Sequence, residues 1–263
     1  MARDGETLDR LAGDWRIFQL RRGHRFSTDD LMTAWTAARA QPAARRLLDL
    51  GSGIGSVGLL TMWKLGAEAE LLGVEVQPVS LELARRTAAY NRVCNRAEFR
   101  PGDLRDPELL AGERPFELIT GSPPYIPPER GVQSPHPQRA AARIELHGDV
   151  FDYCRAAAWV LSPEGRFCFC HAAADPRPEP AIQSAGLRLL RRQDVVFRAG
   201  QPPLIALFTC GFSHQEPPRT APEFVIRDEN GRWTDEYLAM RREMGTVVWN
   251  QDHGGESRRA VGP

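Results

Sequence analysis

The sequence predicts an α/β fold in which a mostly parallel, doubly wound sheet of seven strands carries helices on both faces. Short apolar runs alternate with helix-like segments from residue 46 onward. A glycine-rich turn, Gly51 to Gly55, follows the first apolar run, and a rigid Ser-Pro-Pro-Tyr stretch at residues 122–125 follows the fourth. Parallel strands bring such turns to one edge of the sheet, where ligands bind in this fold class.

Length and composition are those of an ordinary globular enzyme. The 263 residues are enough for one substantial α/β domain with appendages or for two small domains. The formal net charge is zero, which excludes a protein drawn to nucleic acid or acidic membranes by its overall field. A site for a polyanion must therefore be a local basic patch.

Five cysteines without a framework spacing argue against a secreted disulfide scaffold. Cys168 and Cys170 alternate with phenylalanines, and only His171 adjoins them, so we expect buried thiols on one face of a strand. The N-terminus has no apolar signal segment, and no apolar run reaches membrane-spanning length. We therefore expect a cytoplasmic enzyme that needs no metal ion and no membrane.

The elements follow in order along the chain. Residues 1–25 are polar with scattered apolar positions, and then Ser27 or Thr28 can cap a helix that Gln41-Pro42 ends. Strands are predicted at 46–50, 70–76, 97–101, 116–120, 165–171, 186–197 and 204–212, helices at 57–65, 79–91 and 140–161, a Pro-rich loop at 121–138, a linker at 213–222 and a frayed tail at 250–263. The chain thus divides into an N-terminal extension with a helix (1–45), a main domain (46–212) and a C-terminal extension (213–263).

The glycine turn predicts a cofactor site. Gly51 and Gly53 let the backbone approach a ligand closely, and Glu75 ends the next strand, where a carboxylate can accept hydrogen bonds from ribose hydroxyls. For Glu75 alone, a solvated charge at a strand end is the alternative. Enzymes that bind NAD also use a strand-end acid, so this half of the chain leaves a dehydrogenase open.

The Pro-Pro pair separates a methyltransferase from a dehydrogenase. It fixes two φ angles and removes two N–H donors, while its carbonyl groups remain free to accept. A rigid, acceptor-rich loop that ends in the ring of Tyr125 suits an exocyclic amino group held beside a methyl donor, and a dehydrogenase has no need for it. The alternative is a loop that merely ends a strand.

In this order, the two motifs resemble the class I S-adenosylmethionine-dependent methyltransferases that carry an (Asp/Asn/Ser)-Pro-Pro-(Tyr/Phe/Trp) motif. Four flanking segments, 25–30, 143–146, 224–228 and 233–237, resemble one family of this class, the bacterial tRNA(Val) adenine-37 N6-methyltransferases, and the resemblance covers roughly residues 15–243. It implies a Rossmann-like fold, S-adenosyl-L-methionine as cofactor and a tRNA as substrate, methylated at the N6 amino group of adenine 37.

The resemblance also implies roles for individual residues. Ser122 and the carbonyl group of Pro123 would accept the two N–H bonds of the amine, Pro124 completes the catalytic loop, and Tyr125 would stack on the base. Serine is shorter than the asparagine that many relatives have at this position. The implied cofactor pocket consists of Phe26, Thr28, Asp29, Asp49, Gly51, Ser52, Gly53, Gly55, Glu75, Asp103 and Leu104, with Glu75 on the ribose and with Asp103 and Leu104 at the adenine ring.

A basic turn near the N-terminus can hold tRNA phosphates, or it can simply be solvated. The candidate RNA-binding residues are Arg21, Arg22, Arg25 and Arg139, with Arg143 beside the last. On a helix, however, Arg139 and Arg143 can merely pair with Glu145.

Other functions stay open. The methyl group can go to a protein glutamine N5, to a small aromatic amine or to another RNA, guanine N2 included. About fifty residues precede the glycine turn, fewer than the helical domain usual in glutamine enzymes or the duplicated half usual in guanine enzymes would need. A non-enzyme alternative is an RNA-binding or scaffold protein that retains only the cofactor fold.

Overall fold

The computed structural model of the protein describes residues 1–126, 138, 143–212 and 219–246. The chain begins with an antiparallel hairpin of β1 (Glu6–Arg10) and β2 (Arg16–Leu20), which is missing from the sequence-based prediction. Ile17 and Phe18 are both buried although they are neighbours. The alternation of a half-buried strand is therefore absent from this segment, which explains the omission.

Helix α1 (Thr28–Ala40) begins and ends as predicted. The backbone N–H of Ser27 donates to the Asp30 carboxylate at 2.9 Å in a capping box, and Gln41 is the C-cap. The helix is buried along most of its length and packs against the main sheet and the helix after the glycine turn. It thereby brings its N-terminus to the carboxyl edge of the sheet.

The seven predicted strands form one sheet, in agreement with the predicted fold class. They are β3 (Arg46–Leu50), β4 (Glu70–Glu75), β5 (Ala97–Pro101), β6 (Phe116–Gly121), β7 (Leu161–Ala172), β8 (Arg188–Val196) and β9 (Ile205–Gly211). Their spatial order is β5-β4-β3-β6-β7-β9-β8, and β9 alone of these seven runs antiparallel to its neighbours. The buried apolar runs of β3, β4 and β6 explain why the sequence predicted the positions of these strands.

Two strands of two residues each, β10 (Arg219–Thr220) and β11 (Phe224–Val225), pair with β8. Part of the predicted linker 213–222 is therefore sheet, and residues 213–218 lie outside the described residues, as do 247–263. A strand of two residues is too short to show a periodic pattern, so the sequence carried no signal for it.

Helices cover both faces of the sheet, as predicted. One face carries α1 with α2 (Ser56–Leu65), α3 (Pro78–Tyr90) and α6 (Asp235–Glu243), and the other carries α4 (Val150–Val160), α5 (Pro178–Ser184) and a 3-10 helix (Pro107–Leu110). Cys168 and Cys170 are buried on the α1 face, and Phe167 and Phe169 on the α4 face, as their alternation predicted. Within the described ranges, no helix is long and apolar enough to cross a membrane.

Of the helix predicted at 140–161, residues 140–142 lie outside the described residues, and the described part is shorter than expected. It begins at Val150, where the Asp149 carboxylate caps it by accepting from the N–H of Phe151 at 2.9 Å. Gly148, at φ 122, has a backbone conformation that no helix contains, and residues 143–149 form turns instead. The strand predicted from residue 165 begins earlier, at Leu161.

Candidate active site

A cavity of about 530 Å³ opens at the carboxyl ends of β3, β4 and β6, a volume typical of small-molecule sites. It brings together the glycine turn, the end of β4, the Ser-Pro-Pro-Tyr loop and the segment before α1. The predicted site residues that line it are Arg21, Arg22, Arg25, Asp29, Asp49, Gly51, Ser52, Gly53, Glu75, Leu104, Ser122, Pro123, Pro124 and Tyr125.

The glycines of the turn are required for different reasons. All three have positive φ, at 58° for Gly51, 55° for Gly53 and 84° for Gly55. A Cβ at Gly51 would lie 2.0 Å from the hydroxyl of Tyr153, so this glycine is needed for packing. A Cβ at Gly53 would meet nothing within 4 Å, so this position borders the open cavity and leaves room for a ligand.

Glu75 fastens the glycine turn to the end of β4. Its Oε2 accepts from the N–H of Gly53 at 2.7 Å, and its Oε1 accepts from the N–H of Gln77 at 2.7 Å. The carboxylate is buried, and that burial raises its pKa. Backbone N–H groups thus hold the carboxylate in place at the cavity wall, and its two oxygens have about four acceptor positions in all.

Asp49 holds the floor of the cavity. Its Oδ2 accepts from the N–H of Gly58 at 2.9 Å, and its Oδ1 accepts from the hydroxyl of Thr120 at 2.7 Å. Burial raises the pKa of this carboxyl to about 7. The side chain thus ties β3 to α2 and to β6, the three elements whose ends form the site.

The N-terminus of α1 adds two more acidic groups to the cavity wall. Asp30 accepts from the hydroxyl of Ser56 at 3.2 Å as well as from its capping partner, while Asp29 faces the side on which Tyr125 lies. Burial raises the pKa of both carboxyls to about 6, and the like charge of Asp30 adds to the shift of Asp29. The interior of the cavity is therefore acidic.

The Ser-Pro-Pro-Tyr loop leaves β6 with both prolines buried. The hydroxyl oxygen of Ser122 lies 3.7 Å from the sulfur of Cys170, on the neighbouring strand β7. The ring of Tyr125 is half-buried, and its edge contact with the ring of His171 has a centroid distance of 5.7 Å. The loop is therefore supported by the end of β7 from behind and faces the cavity in front.

The rim of the cavity is basic. Arg21 and Arg22 are exposed there, and Arg143 and His147 also line the cavity. Arg25 also lines the cavity, but its guanidinium pairs with Asp9 of the hairpin at 3.0 Å. A basic rim above an acidic interior gives this site two electrostatic zones.

The sequence-based predictions for Arg139 and Arg143 have different outcomes. Arg139 lies outside the described residues, so its contribution to the rim remains a prediction. The predicted pairing of Arg143 with Glu145 along a helix is wrong, because residues 143–149 are not helical and Glu145 binds Arg177 at 2.7 Å.

Known proteins resemble this chain along most of its length. The methyltransferase small domain family matches residues 27–134. A tRNA1(Val) (adenine(37)-N6)-methyltransferase from Porphyromonas gingivalis is 30% identical over 210 residues, which cover 78% of this chain and 75% of that protein. This chain belongs to the tRNA1(Val) (adenine(37)-N6)-methyltransferase family. A relative of the same name from Dickeya chrysanthemi is 29% identical and covers 81% of this chain and 84% of its own.

The fold agrees with this assignment. A solved structure of a predicted O-methyltransferase from Agrobacterium tumefaciens superposes with a TM-score of 0.60 over 84% of this chain and 99% of that one, at 18% identity. The protein is thus an S-adenosylmethionine-dependent methyltransferase with the class I fold. The cavity at the strands' carboxyl ends is where this fold class binds its ligands.

Four residues predicted for the family's cofactor pocket do not line the cavity: Phe26, Thr28, Gly55 and Asp103. Phe26 packs against the core instead, and Gly55 leaves room for the ring of Phe99, which would lie 2.9 Å from a Cβ. The carboxylate of Asp103 accepts from the Nε of Arg105 at 2.9 Å, which lowers its pKa. Its neighbours Gly102 and Leu104 line the cavity, so the chain does pass the site there.

Several residues that line the cavity were not predicted from the sequence. Tyr153 comes from α4, Cys170 from β7, and His147 from the turns before α4. None belongs to a local motif, because each reaches the site only through packing of distant elements. The one signal that pointed to Cys170 was its place near the carboxyl end of a predicted parallel strand.

Proposed function

We propose that this protein transfers a methyl group from S-adenosyl-L-methionine to the N6 amino group of adenine 37 of a tRNA. The observation that carries the proposal is that one cavity joins the glycine turn and Glu75 to the Ser-Pro-Pro-Tyr loop. A methyl donor bound at the first and an amine held by the second would meet inside it. The two relatives from Dickeya chrysanthemi and Porphyromonas gingivalis are both named tRNA1(Val) (adenine(37)-N6)-methyltransferase, which agrees with this acceptor.

The residues around the glycine turn fit the cofactor. The hydroxyl of Ser52 is buried and has no hydrogen-bond partner among the described residues, so it has a free bond for a ligand. Gly53 borders open space, and Glu75 keeps acceptor capacity for ribose hydroxyls. When bound, the cofactor supplies an electrophilic methyl group on a sulfonium centre.

The acceptor loop addresses the low nucleophilicity of an aromatic amine, whose lone pair is delocalised into the ring. The Ser122 hydroxyl and the Pro123 carbonyl accept hydrogen bonds from the amine, which shifts electron density back to its nitrogen. Tyr125 stacks on the base and fixes its plane. In-line attack then depends on positioning more than on acid–base groups.

Cys170 supports this role of Ser122. Burial raises the pKa of its thiol to about 12, so the group stays neutral and does not repel an electron-rich amine. Its thiol donates to the Ser122 oxygen, with the sulfur at 3.7 Å, and the second lone pair of that oxygen remains for the amine. We assign Cys170 the task of orienting Ser122.

The basic rim serves the RNA backbone. Arg21, Arg22 and Arg143 are exposed and line the cavity, so they can contact the phosphates of a stem-loop that enters it. Arg25 is the weakest member of this group, because Asp9 and Thr7 already bind its guanidinium at 3.0 Å each. Arg21 and Arg22 therefore carry the phosphate contacts in this proposal.

The test uses purified protein, S-adenosylmethionine and an anticodon stem-loop with adenine at position 37. Mass spectrometry of the digested nucleosides should find N6-methyladenosine, and none when guanine replaces that adenine. A release-factor peptide with its glutamine serves as a second substrate. Methylation of the peptide with every RNA untouched would refute the tRNA assignment and leave only the methyl-transfer chemistry.

A further inference from the structure

The residue that follows Tyr125 is tied to a segment that lies almost twenty positions later. The N–H of Ile126 donates to the carbonyl oxygen of Arg143 at 3.2 Å, and the N–H of Glu145 donates to the carbonyl oxygen of Ile126 at 3.1 Å. These two bonds hold the backbone of Glu145 beside the end of the acceptor loop.

Glu145 continues this connection through Arg177, the residue before α5. The Nη2 of Arg177 lies 2.7 Å from one carboxylate oxygen of Glu145, and its Nη1 lies 3.1 Å from the other. The same guanidinium binds Asp175 through Nε at 3.0 Å and Nη2 at 2.7 Å. Such paired bonds fix the geometry of the three side chains. Because the Glu145 and Asp175 side chains are only 8% and 12% exposed, salt screens these ion pairs weakly.

The connection then returns to Tyr125. An Asp175 oxygen lies 3.7 Å from the Nδ1 of His171, whose side chain is fully buried. Neither ring nitrogen of His171 has a hydrogen-bond partner among the described residues, and the ring itself meets Tyr125 edge-on, with an angle of 64° between the planes. Two unpaired buried nitrogens destabilise a fold, so packing alone does not account for a histidine here.

We propose that Glu145, Arg177, Asp175 and His171 form a clasp that holds the ring of Tyr125 in the orientation that receives the target base. This inference rests on the proposed function. None of the four side chains is among the described residues that line the cavity, so they are positioning residues and act through Tyr125. A base that stacks on a loosely held ring is misplaced relative to the methyl group, and a displacement of about 1 Å can lower the rate about a hundredfold.

The chain offers a matched control for Arg177. Arg100 also bridges two carboxylates, those of Glu98 at 3.3 Å and Glu113 at 3.1 Å, and its side chain is 30% exposed against 28% for Arg177. Arg100 does not line the cavity. The Arg177→Ala and Arg100→Ala variants therefore each remove an arginine that bridges two carboxylates, one at the acceptor loop and one away from it.

The first measurement is kinetic. Arg177→Ala should lower kcat on the stem-loop roughly tenfold to a hundredfold, while its Kd for S-adenosylhomocysteine stays within about twofold of wild type. Arg100→Ala should leave both values unchanged. Glu145→Gln keeps the shape of the side chain without its charge and should also lower kcat. It replaces Arg177→Ala in the experiment if that variant does not fold. Unchanged kcat in both clasp variants, or a parallel loss of cofactor affinity, overturns the clasp.

The second measurement asks whether the clasp acts through Tyr125. In a Tyr125→Ala background, Arg177→Ala should lower kcat no further, because the ring that the clasp holds is already absent. His171→Phe keeps a ring beside Tyr125 but loses the nitrogen that faces Asp175, so its kcat should lie between those of wild type and His171→Ala. If the two substitutions lower kcat independently in the double variant, the clasp does not act through Tyr125.

The third measurement needs no substrate, so it separates failure of the clasp from failure of the proposed function. Hydrogen exchange at the amides of Ile126 and Glu145 should become faster in Arg177→Ala than in Arg100→Ala, with the sheet strands unchanged. Equal exchange in the two variants would refute the clasp. If wild-type enzyme methylates no RNA while exchange changes as expected, the proposed acceptor is wrong and the clasp stands.

Discussion

Replacing Gly53 tests the cofactor site at its most exposed point. The position has φ 55°, and a Cβ there would meet nothing within 4 Å. A side chain costs about 1–2 kcal/mol of backbone strain in this region, less for Asn and Asp, and it points into the cavity. The fold should therefore survive Gly53→Asp and Gly53→Asn, and the two variants differ only in charge.

The charge has a calculable effect because Glu75 is close. Its Oε2 lies 2.7 Å from the backbone nitrogen of Gly53, so a new carboxylate on that residue would lie about 5 Å away. Two charges at about 5 Å repel by about 3 kcal/mol at an effective dielectric constant of about 20. Burial already raises the pKa of Glu75, so the repulsion would protonate it and remove an acceptor for the ribose hydroxyls.

Calorimetry with S-adenosylhomocysteine is the assay. Gly53→Asn should bind at most about tenfold more weakly than wild type, and Gly53→Asp about a hundredfold more weakly again. Circular dichroism and the melting temperature check that both variants fold. Equal affinities of the two variants would refute the role assigned to Glu75. A wild-type protein that binds a nicotinamide dinucleotide but no S-adenosylhomocysteine would refute the cofactor itself.

Three further predictions concern the acceptor loop and the buried acid. Ser122→Ala should lower kcat tenfold to a thousandfold with cofactor affinity unchanged, as steady-state kinetics and calorimetry would reveal; unchanged turnover would mean that the Pro123 carbonyl suffices. Tyr125→Ala should weaken the transition-state interaction by about 1–3 kcal/mol, measured as kcat/KM on the stem-loop, and Tyr125→Phe should retain most activity; equal losses would show that the hydroxyl, rather than the ring, is needed. The pKa of Asp49 is raised from 3.8 to about 7 in the folded state, so folding takes up a proton in this range and the free energy of unfolding falls as pH rises across it. Asp49→Asn should remove that fall, worth at most about 1.4 kcal/mol per pH unit, in urea unfolding between pH 5 and 7. The raised pKa values of Asp29 and Asp30, which act in the same direction, and the lowered pKa of His171, which acts in the opposite direction, are present in both proteins, so the difference between the two slopes reports Asp49. Identical pH slopes would contradict the raised pKa of Asp49.

Salt dependence adds a check on the rim. If Arg21 and Arg22 bind phosphates, the RNA affinity should fall steeply with salt, and Arg21→Ala should make that slope shallower by about one unit. The exposed Arg10 of the hairpin provides a matched control, since it lies outside the cavity lining. An unchanged slope in Arg21→Ala would place the RNA backbone elsewhere.

The central strands are close to the predicted ones because β3, β4 and β6 are buried along most of their length and contain short apolar runs. The strands Arg46–Leu50 and Ala97–Pro101 have the predicted bounds. The hairpin, by contrast, has a mixed pattern, and the helix expected from residue 140 is interrupted by the conformation of Gly148. Both errors arise where local pattern is weak and tertiary contacts decide.

The sequence by itself determined the two motifs of the site, because the glycine turn and the Ser-Pro-Pro-Tyr loop depend on backbone freedom and backbone rigidity within a few residues. Only the tertiary structure decided which other side chains join them. Asp103 turns to Arg105, whereas Tyr153, Cys170 and His147 reach the cavity from elements that the sheet order brings together. The contact between Tyr125 and His171 likewise exists because β6 and β7 are neighbours in the sheet. Pairing over such distances along the chain depends on the packing of the whole core, which no short stretch of sequence encodes.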